Sequence, residues 1–232
     1  MTKKVFLITG ASTGIGEATA KRAIESGFKV ALAARSTQKL EKLVASFGHD
    51  NALAVTCNVA EWQSQQEMVE KTLNHFGKID VVFANAGFSK GSTFYGGKDK
   101  PDEWREMVMV NVFGAAVTAR LTLPELVKNG GHFLVTGSVV GRITSIRNLY
   151  SATKWAVTGM AQAIRNEMVG TGIRVTLIEP GIVDTPFWDQ LQKPASTELL
   201  PDDIARAVMF AVSQPPHVDV NDILIRPTGQ PH

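Results

Sequence analysis

Seven short runs of Val, Ile, Leu and Ala, separated by longer helical patterns, leave this chain few ways to fold. The runs are Val5–Thr9, Val30–Ala34, Ala52–Cys57, Val81–Asn85, His132–Ser138, Arg174–Glu179 and Ile223–Arg226. Most are apolar at successive positions, not at alternate ones. A strand that is apolar on both faces must be covered on both, which is the pattern of a parallel sheet between two helical layers. Helical patterns occupy Gly16–Ser26, Thr37–Phe47, Glu61–Phe76, Pro101 to about Leu123, Tyr150–Met168 and Pro201–Ser213. Gly27, Gly48 and Gly77 stand where the first three should end. Ser36 is a candidate N-cap, and Pro101 suits a first helical turn. The alternation predicts an α/β fold: one Rossmann-type doubly wound domain over residues 1–232, with a seven-stranded, mostly parallel sheet. Residues 186–200 read as an irregular insertion, a substrate loop or lid.

Composition excludes several roles. A net charge of +2 gives no broad attraction to nucleic acid or to an anionic membrane, so a phosphate ligand needs a local site. A single cysteine, Cys57, rules out an intramolecular disulfide and is expected to be packed. The apolar run Val5–Ile8 is shorter than a signal-peptide core, and no continuous apolar stretch approaches the ~18 residues of a membrane span. The expectation is a soluble cytoplasmic protein with no nucleic-acid or membrane partner and no metal.

The first strand runs directly into Thr-Gly-Ala-Ser-Thr-Gly-Ile-Gly, residues 9–16. Gly10, Gly14 and Gly16 sit where a strand turns into a helix. Missing side chains allow a sharp turn, close approach of backbone to a pyrophosphate, and tight helix–strand packing. The helix start adds unpaired N–H groups and partial positive charge. The second strand ends Ala33-Ala34 and is followed by Arg35-Ser36. A carboxylate at that position would hold an adenosine ribose 2′-hydroxyl; here Ala34 replaces it, and Arg35 offers a guanidinium to a 2′-phosphate.

A second constellation carries chemistry. Tyr150 and Lys154 are four apart, on one helical face. An ammonium beside a phenol favours the phenolate, moving a group that titrates near ~10 toward the working range of an acid/base catalyst. Ser138 ends the fifth strand, where open α/β sheets gather their ligands. Its hydroxyl can hold a substrate oxygen beside Tyr150.

Taken together, TGASTGIG, Asn85-Ala86-Gly87, Asn111, Ser138 and Tyr150-Ser-Ala-Thr-Lys154 resemble the short-chain dehydrogenase/reductase family over nearly the whole chain. The resemblance implies that Asn111, Ser138, Tyr150 and Lys154 form a catalytic tetrad, with Asn111 supporting a water that links the lysine to solvent. It implies a nicotinamide cofactor held by Ser12, Thr13 and Ile15 of the glycine turn, by Asn58-Val59 near the adenine, and by Asn85-Ala86-Gly87. Asn58 stands where the family usually has Asp. Pro180, Gly181, Val183 and Thr185 are implied to cradle the nicotinamide. Arg35 with Ser36 goes with preference for NADP(H). The C-terminal run His217–Thr228 resembles the subgroup of NADP-dependent 3-hydroxy acid (serine-type) dehydrogenases.

The expected activity is hydride transfer between NADP(H) and a small ketone, aldehyde or secondary alcohol, a 3-hydroxy acid among the candidates. The alternative is an NADP(H)-binding sensor without turnover. Val139, Val140, Thr144, Phe187 and Trp188 are the expected substrate pocket, with Phe88, Phe94 and Tyr95 as further aromatic candidates. Arg142 and Arg147 are candidates to hold a substrate carboxylate. Apolar and small residues around two helices, Met107, Val110, Ala115 and Ala119 on one and Ala152, Trp155, Gly159 and Ala163 on the other, point to a homodimer or homotetramer.

Overall fold

Residues apolar at successive strand positions become the two buried faces of one sheet. The computed structural model describes residues 3–90, 93–143, 148–189, 191 and 198–230. Its strands are β1 (Val5–Thr9), β2 (Lys29–Ala34), β3 (Ala52–Thr56), β4 (Val81–Ala84), β5 (His132–Thr136), β6 (Arg174–Pro180) and β7 (Asp222–Ile225). They form a sheet in the order β3-β2-β1-β4-β5-β6-β7, with every pairing parallel. The helices are α1 (Gly14–Glu25), α2 (Thr37–Phe47), α3 (Trp62–Phe76), α4 (Pro101–Val108), α5 (Ala115–Asn129), α6 (Asn148–Glu167) and α7 (Pro201–Ser213).

Strand alternation divides the core into two layers. Leu7, Val82, Phe133, Val135, Val175 and Leu177 face Met68 of α3, Leu126 of α5 and Ala161 of α6. Phe6, Ile8, Leu32, Phe83, Leu134 and Ile178 face Ala20 of α1, Leu40 of α2 and Val208 of α7. The strand order reverses between β1 and β4, which opens a crevice at the carboxyl ends of the strands.

One helical pattern runs further than its sequence indicates. It continues past Leu123 and through Pro124 to Asn129, and stops at Gly130, whose φ of 57° is left-handed. Leu126, fully buried against the core, anchors this last stretch. Between α4 and α5 lies a π-helical turn, Met109–Gly114. The Gly114 carbonyl accepts from Gln65 Nε2 (2.9 Å) and Thr118 Oγ1 (2.9 Å). A Cβ on Gly114 would lie 3.0 Å from the Val59 carbonyl oxygen, so the close approach to the β3 end requires glycine. Such turns insert one residue and re-aim the side chains beside them; here the re-aimed region contains Asn111. By length and composition the run Pro101–Asn129 is apolar enough to cross a membrane, but more than half of its most apolar 18-residue window is buried within the fold, as in a core helix.

Candidate active site

The carboxyl ends of β1, β4 and β5 are locked together by short polar side chains. Thr9 Oγ1 accepts from the backbone N–H groups of Asn85 (3.0 Å) and Ala86 (3.1 Å). Asn85 Nδ2 donates to the Thr9 carbonyl (3.2 Å), and Asn85 Oδ1 accepts from Thr136 Oγ1 (3.0 Å). The Asn85 side chain is thus spent on bracing the strand ends. Gly10 and Gly14 adopt φ of 64° and 56°, the left-handed region that favours glycine. A Cβ on Gly16 would run into the Gly10 carbonyl oxygen, so α1 packs against the turn only with glycine there. Thr13, the N-cap residue of α1, makes no side-chain capping bond, leaving the first-turn N–H groups to a ligand.

Above these ends lies a cavity of about 870 Å³. It is bordered at one end by Arg35, Ser36, Asn58 and Val59 and at the other by Ser138, Tyr150, Phe187 and Trp188, with the glycine turn, Asn85-Ala86-Gly87 and Pro180–Val183 between. Ser12, Thr13, Ile15, Lys154 and Thr185 also line it. The expected cofactor residues therefore border one continuous space, with one exception. Gly16 acts through packing. Arg35 is exposed and rests 3.4 Å from Glu106.

The four expected catalytic residues converge, each held differently. Ser138 caps a 3-10 turn, Val139–Gly141, and its hydroxyl lies 3.4 Å from the Pro180 carbonyl. Lys154 is buried; its Nζ donates to the Thr136 carbonyl at 2.8 Å and stands 5.8 Å from the centre of the Tyr150 ring. Burial pushes the Lys154 ammonium down to about 8. Burial also pushes the Tyr150 phenol up, against a smaller lowering by its hydrogen bond with Ser138. The lowering by Lys154 expected from their spacing does not prevail in these surroundings: desolvation of the phenolate is the larger effect. Among the described residues the Asn111 side chain makes its hydrogen bonds to Phe88 and Thr153, not to Lys154. Its Oδ1 accepts from Phe88 N (3.0 Å), and its Nδ2 donates to the Phe88 carbonyl (2.9 Å) and Thr153 Oγ1 (3.1 Å). It pins the segment after β4 to α6 one residue before Lys154.

Phe187 packs on the Tyr150 ring with centroids 5.4 Å apart, and Trp188 packs edge-on against Phe187. Trp188 Nε1 donates to the Val183 carbonyl (2.9 Å), tying this aromatic wall to the β6 exit. Val139, Val140 and Phe88 join the lining. Phe94 and Tyr95 do not: Phe94 stacks on Trp104, Tyr95 is 95% exposed, and both lie on the surface loop before α4. Thr144, Arg147 and positions 190 and 192–197 of the expected lid lie outside the described residues.

Arg142 is not available to a substrate carboxylate. Its Nε and Nη2 pair with both carboxylate oxygens of Glu179, at 2.7 and 2.9 Å, and Nη2 also meets Asp222 at 3.1 Å. Glu179 is 1% exposed and immediately precedes Pro180. Arg142 therefore ties the turn after Ser138 to the end of β6. Arg142→Ala would leave a buried carboxylate without its counter-charge; a loss of about 2 kcal/mol is expected, moderated because Arg142 is itself part-exposed. Urea unfolding of the variant checks this, and an unchanged midpoint would mean that water suffices to solvate Glu179 once the guanidinium is gone.

Sequence motifs missed several contributors. Thr9, Thr136 and Thr153 act through hydrogen bonds to residues far along the chain, and no local pattern marks them. Gln230, from the C-terminal segment, also lines the cavity. No sequence motif marks it.

Similarity to known proteins agrees with this geometry. The short chain dehydrogenase family matches residues 4–196. This chain belongs to the short-chain dehydrogenase/reductase family of oxidoreductases. An uncharacterized oxidoreductase of Staphylococcus aureus (strain MRSA252) is 37% identical over 231 residues, covering 98% of each chain. Among solved structures, an alcohol dehydrogenase from Thermococcus sibiricus complexed with 5-hydroxy-NADP is 34% identical with a TM-score of 0.87, covering 96% of each chain. The closed form of a serine dehydrogenase complexed with NADP+ is 30% identical with a TM-score of 0.92, covering 98% of this chain and 96% of the other. Members of the family use a nicotinamide cofactor and act on small molecules, so the long cavity and the Ser138–Tyr150–Lys154 cluster have a place in one reaction type.

Proposed function

We propose that this chain is an NADP(H)-dependent carbonyl reductase or alcohol dehydrogenase acting on the carbonyl or carbinol carbon of a small ketone, aldehyde or secondary alcohol. The observation that carries the reading is the meeting of Ser138, Tyr150 and Lys154 at one end of a cavity whose other end is bordered by Arg35. The residues present fit the cofactor: a left-handed glycine turn, an uncapped helix start and a cavity running between the two ends. When bound, the nicotinamide supplies or takes the hydride.

The chain supplies position and the proton. Ser138 holds the substrate oxygen, and Tyr150 gives its phenolic proton to that oxygen in reduction or takes the alcohol proton in oxidation. Lys154, buried and fixed on the Thr136 carbonyl, places positive charge beneath the phenol and favours the phenolate as the proton leaves. Phe187 and Trp188 exclude water from one side of Tyr150. The apolar lining by Val139, Val140 and Phe88 favours a substrate with modest hydrocarbon substituents.

NADP(H) is preferred in this reading because Ala34 offers no carboxylate to repel a 2′-phosphate and Arg35 stands exposed beside it. Arg35→Ala is expected to raise the KM for NADPH about tenfold, at the low end for a charge-assisted contact because the side chain is solvated, while leaving the KM for NADH unchanged. Equal effects on both cofactors would remove the phosphate contact. The function itself is tested by NADPH and NADH oxidation against a panel of ketones and aldehydes, half bearing a carboxylate. Turnover with NADPH is expected. NADPH binding without turnover on any compound would favour a sensing role.

The same reading includes self-association. The sides of α4, α6 and the π-turn that face away from the sheet expose Val108, Phe113 and Trp155, with Ala152, Gly159 and Ala163 alongside. Met107, Val110, Ala115 and Ala119 are not part of this face; they are buried in the chain's own core.

A further inference from the structure

The segment leaving β6 is held almost atom by atom. Gly181 N donates to the Ile225 carbonyl (2.7 Å), Asp184 N to the Leu199 carbonyl (2.8 Å), and the Ile182 carbonyl accepts from Leu199 N (2.9 Å). The Pro180 carbonyl faces the Ser138 hydroxyl, and the Val183 carbonyl is taken by Trp188. Ile182 N is satisfied by a side chain from the far end of the chain: it donates to Gln230 Oε1 at 2.9 Å. Of the N–H groups from Gly181 to Asp184, only that of Val183 makes no hydrogen bond among the described residues. It is the donor left for a ligand in the cavity.

The approach of Gln230 is built, not incidental. Pro227–Gln230 forms a turn closed by Gln230 N donating to the Pro227 carbonyl (3.1 Å), with Gly229 at φ 87° in the third position, as a type II turn requires. The turn brings the amide over Gly181. A Cβ there would collide with Gln230 Oε1 and would lie 3.1 Å from Pro227 Cδ and 3.2 Å from Arg226 Cα, so the turn seats the glutamine amide here only over a glycine. Gln230 and residues 180–183 line the same cavity.

We infer that Gln230 is a positioning residue for the nicotinamide end of the cofactor site: by fixing Ile182 N it aims the next donor, Val183 N–H, into the cavity. The inference rests on the proposed cofactor reading. Gln230 has no catalytic part in it, since nothing places it on the reacting atoms. Its effect passes through the backbone of Ile182 and Val183, and a glutamine is suited because its carbonyl oxygen reaches where no strand remains to pair.

The test separates the nicotinamide end from the adenosine end. Equilibrium binding is measured for NADP+ and for 2′-phospho-ADP-ribose, which keeps the adenosine half and lacks nicotinamide. Gln230→Met preserves length and removes the acceptor. It is expected to weaken NADP+ by about tenfold, the scale of one lost hydrogen bond, and to leave 2′-phospho-ADP-ribose unchanged. Gln230→Glu keeps an acceptor at the same reach and is expected to restore NADP+ binding. Gly181→Ala should displace the Gln230 amide and weaken NADP+ at least as much as the methionine variant, because its Cβ also presses on Pro227 Cδ and Arg226 Cα. Equal weakening of both ligands, no weakening at all, or failure of Gln230→Glu to recover binding would each overturn the inference. Wild-type protein that bound neither ligand would overturn the cofactor reading and this inference with it, a result distinct from any difference among variants.

Discussion

Tyr150→Phe is expected to lower turnover by about a thousandfold, roughly 4 kcal/mol of transition-state stabilisation, while NADPH still binds. The substitution removes one oxygen. The ring keeps its packing on Phe187, and Lys154 keeps its bond to the Thr136 carbonyl. Ser138 can still hold a substrate oxygen, but no group remains beside it to deliver the proton. The direction of the pKa shift sharpens the prediction. Burial raises the phenol, so Tyr150 holds its proton through the neutral range and is ready to give it in reduction. Oxidation needs the phenolate, so its rate is expected to climb with pH, and removing the Lys154 charge by Lys154→Met should move that climb to higher pH. Fluorescence titration with NADPH and steady-state rates in both directions check these outcomes. Near-normal turnover by Tyr150→Phe would remove the acid/base assignment altogether.

The strand runs were legible because most are local patterns, apolar on both faces and bounded by turns. The glycine turn was legible because its three glycines sit at one strand–helix junction. What escaped the sequence was partnership at a distance. Arg142 reads as a free cation until β6 is laid beside β5 and Glu179 comes within reach of both its nitrogens. Asn111 is marked by resemblance alone, and no local pattern shows that its side chain joins Phe88 to Thr153. Phe94 and Tyr95 follow a strand that points at the cavity, yet their loop turns outward and the rings settle elsewhere. The helical pattern fades at about Leu123, yet the helix runs on through Pro124 to Asn129, with Leu126 fully buried in that last stretch. In each case a tertiary contact, invisible to a window of neighbouring residues, decides between readings that the local pattern leaves equal.

The same distance effect governs stability at low pH. His132 opens β5, at the end of the sheet remote from the cavity, and is completely buried. Its Nε2 lies 2.8 Å from Thr176 Oγ1, and that hydroxyl donates onward to the Val220 carbonyl, so Nε2 carries the hydrogen and the hydroxyl accepts it. Nδ1 has no hydrogen-bond partner among the described residues. Protonation would put a hydrogen there with nothing to receive it, in a dry site facing the positive charges of Arg174 and Lys4. Burial first, then Arg174, then Lys4, push the imidazole down to about 3. The unfolded chain takes up a proton below about 6.5, and the folded chain does not until about 3. His132 is therefore harmless above pH 6.5, and from there to about 3 each unit of acidification costs about 1.4 kcal/mol of stability, roughly 5 kcal/mol in all. His132→Phe fills the site without a titrating nitrogen. At pH 7 it is expected to be less stable than wild type by about 1 kcal/mol, the net value of the Thr176 hydrogen bond. At about pH 5 the order should reverse, because by then the wild type has lost about 2 kcal/mol that the variant keeps. Urea unfolding at pH 7, 6 and 5 follows the difference between the two proteins, in which the carboxylates common to both cancel. A difference that stayed constant across that range would show that His132 titrates in the folded protein as it does in the unfolded chain.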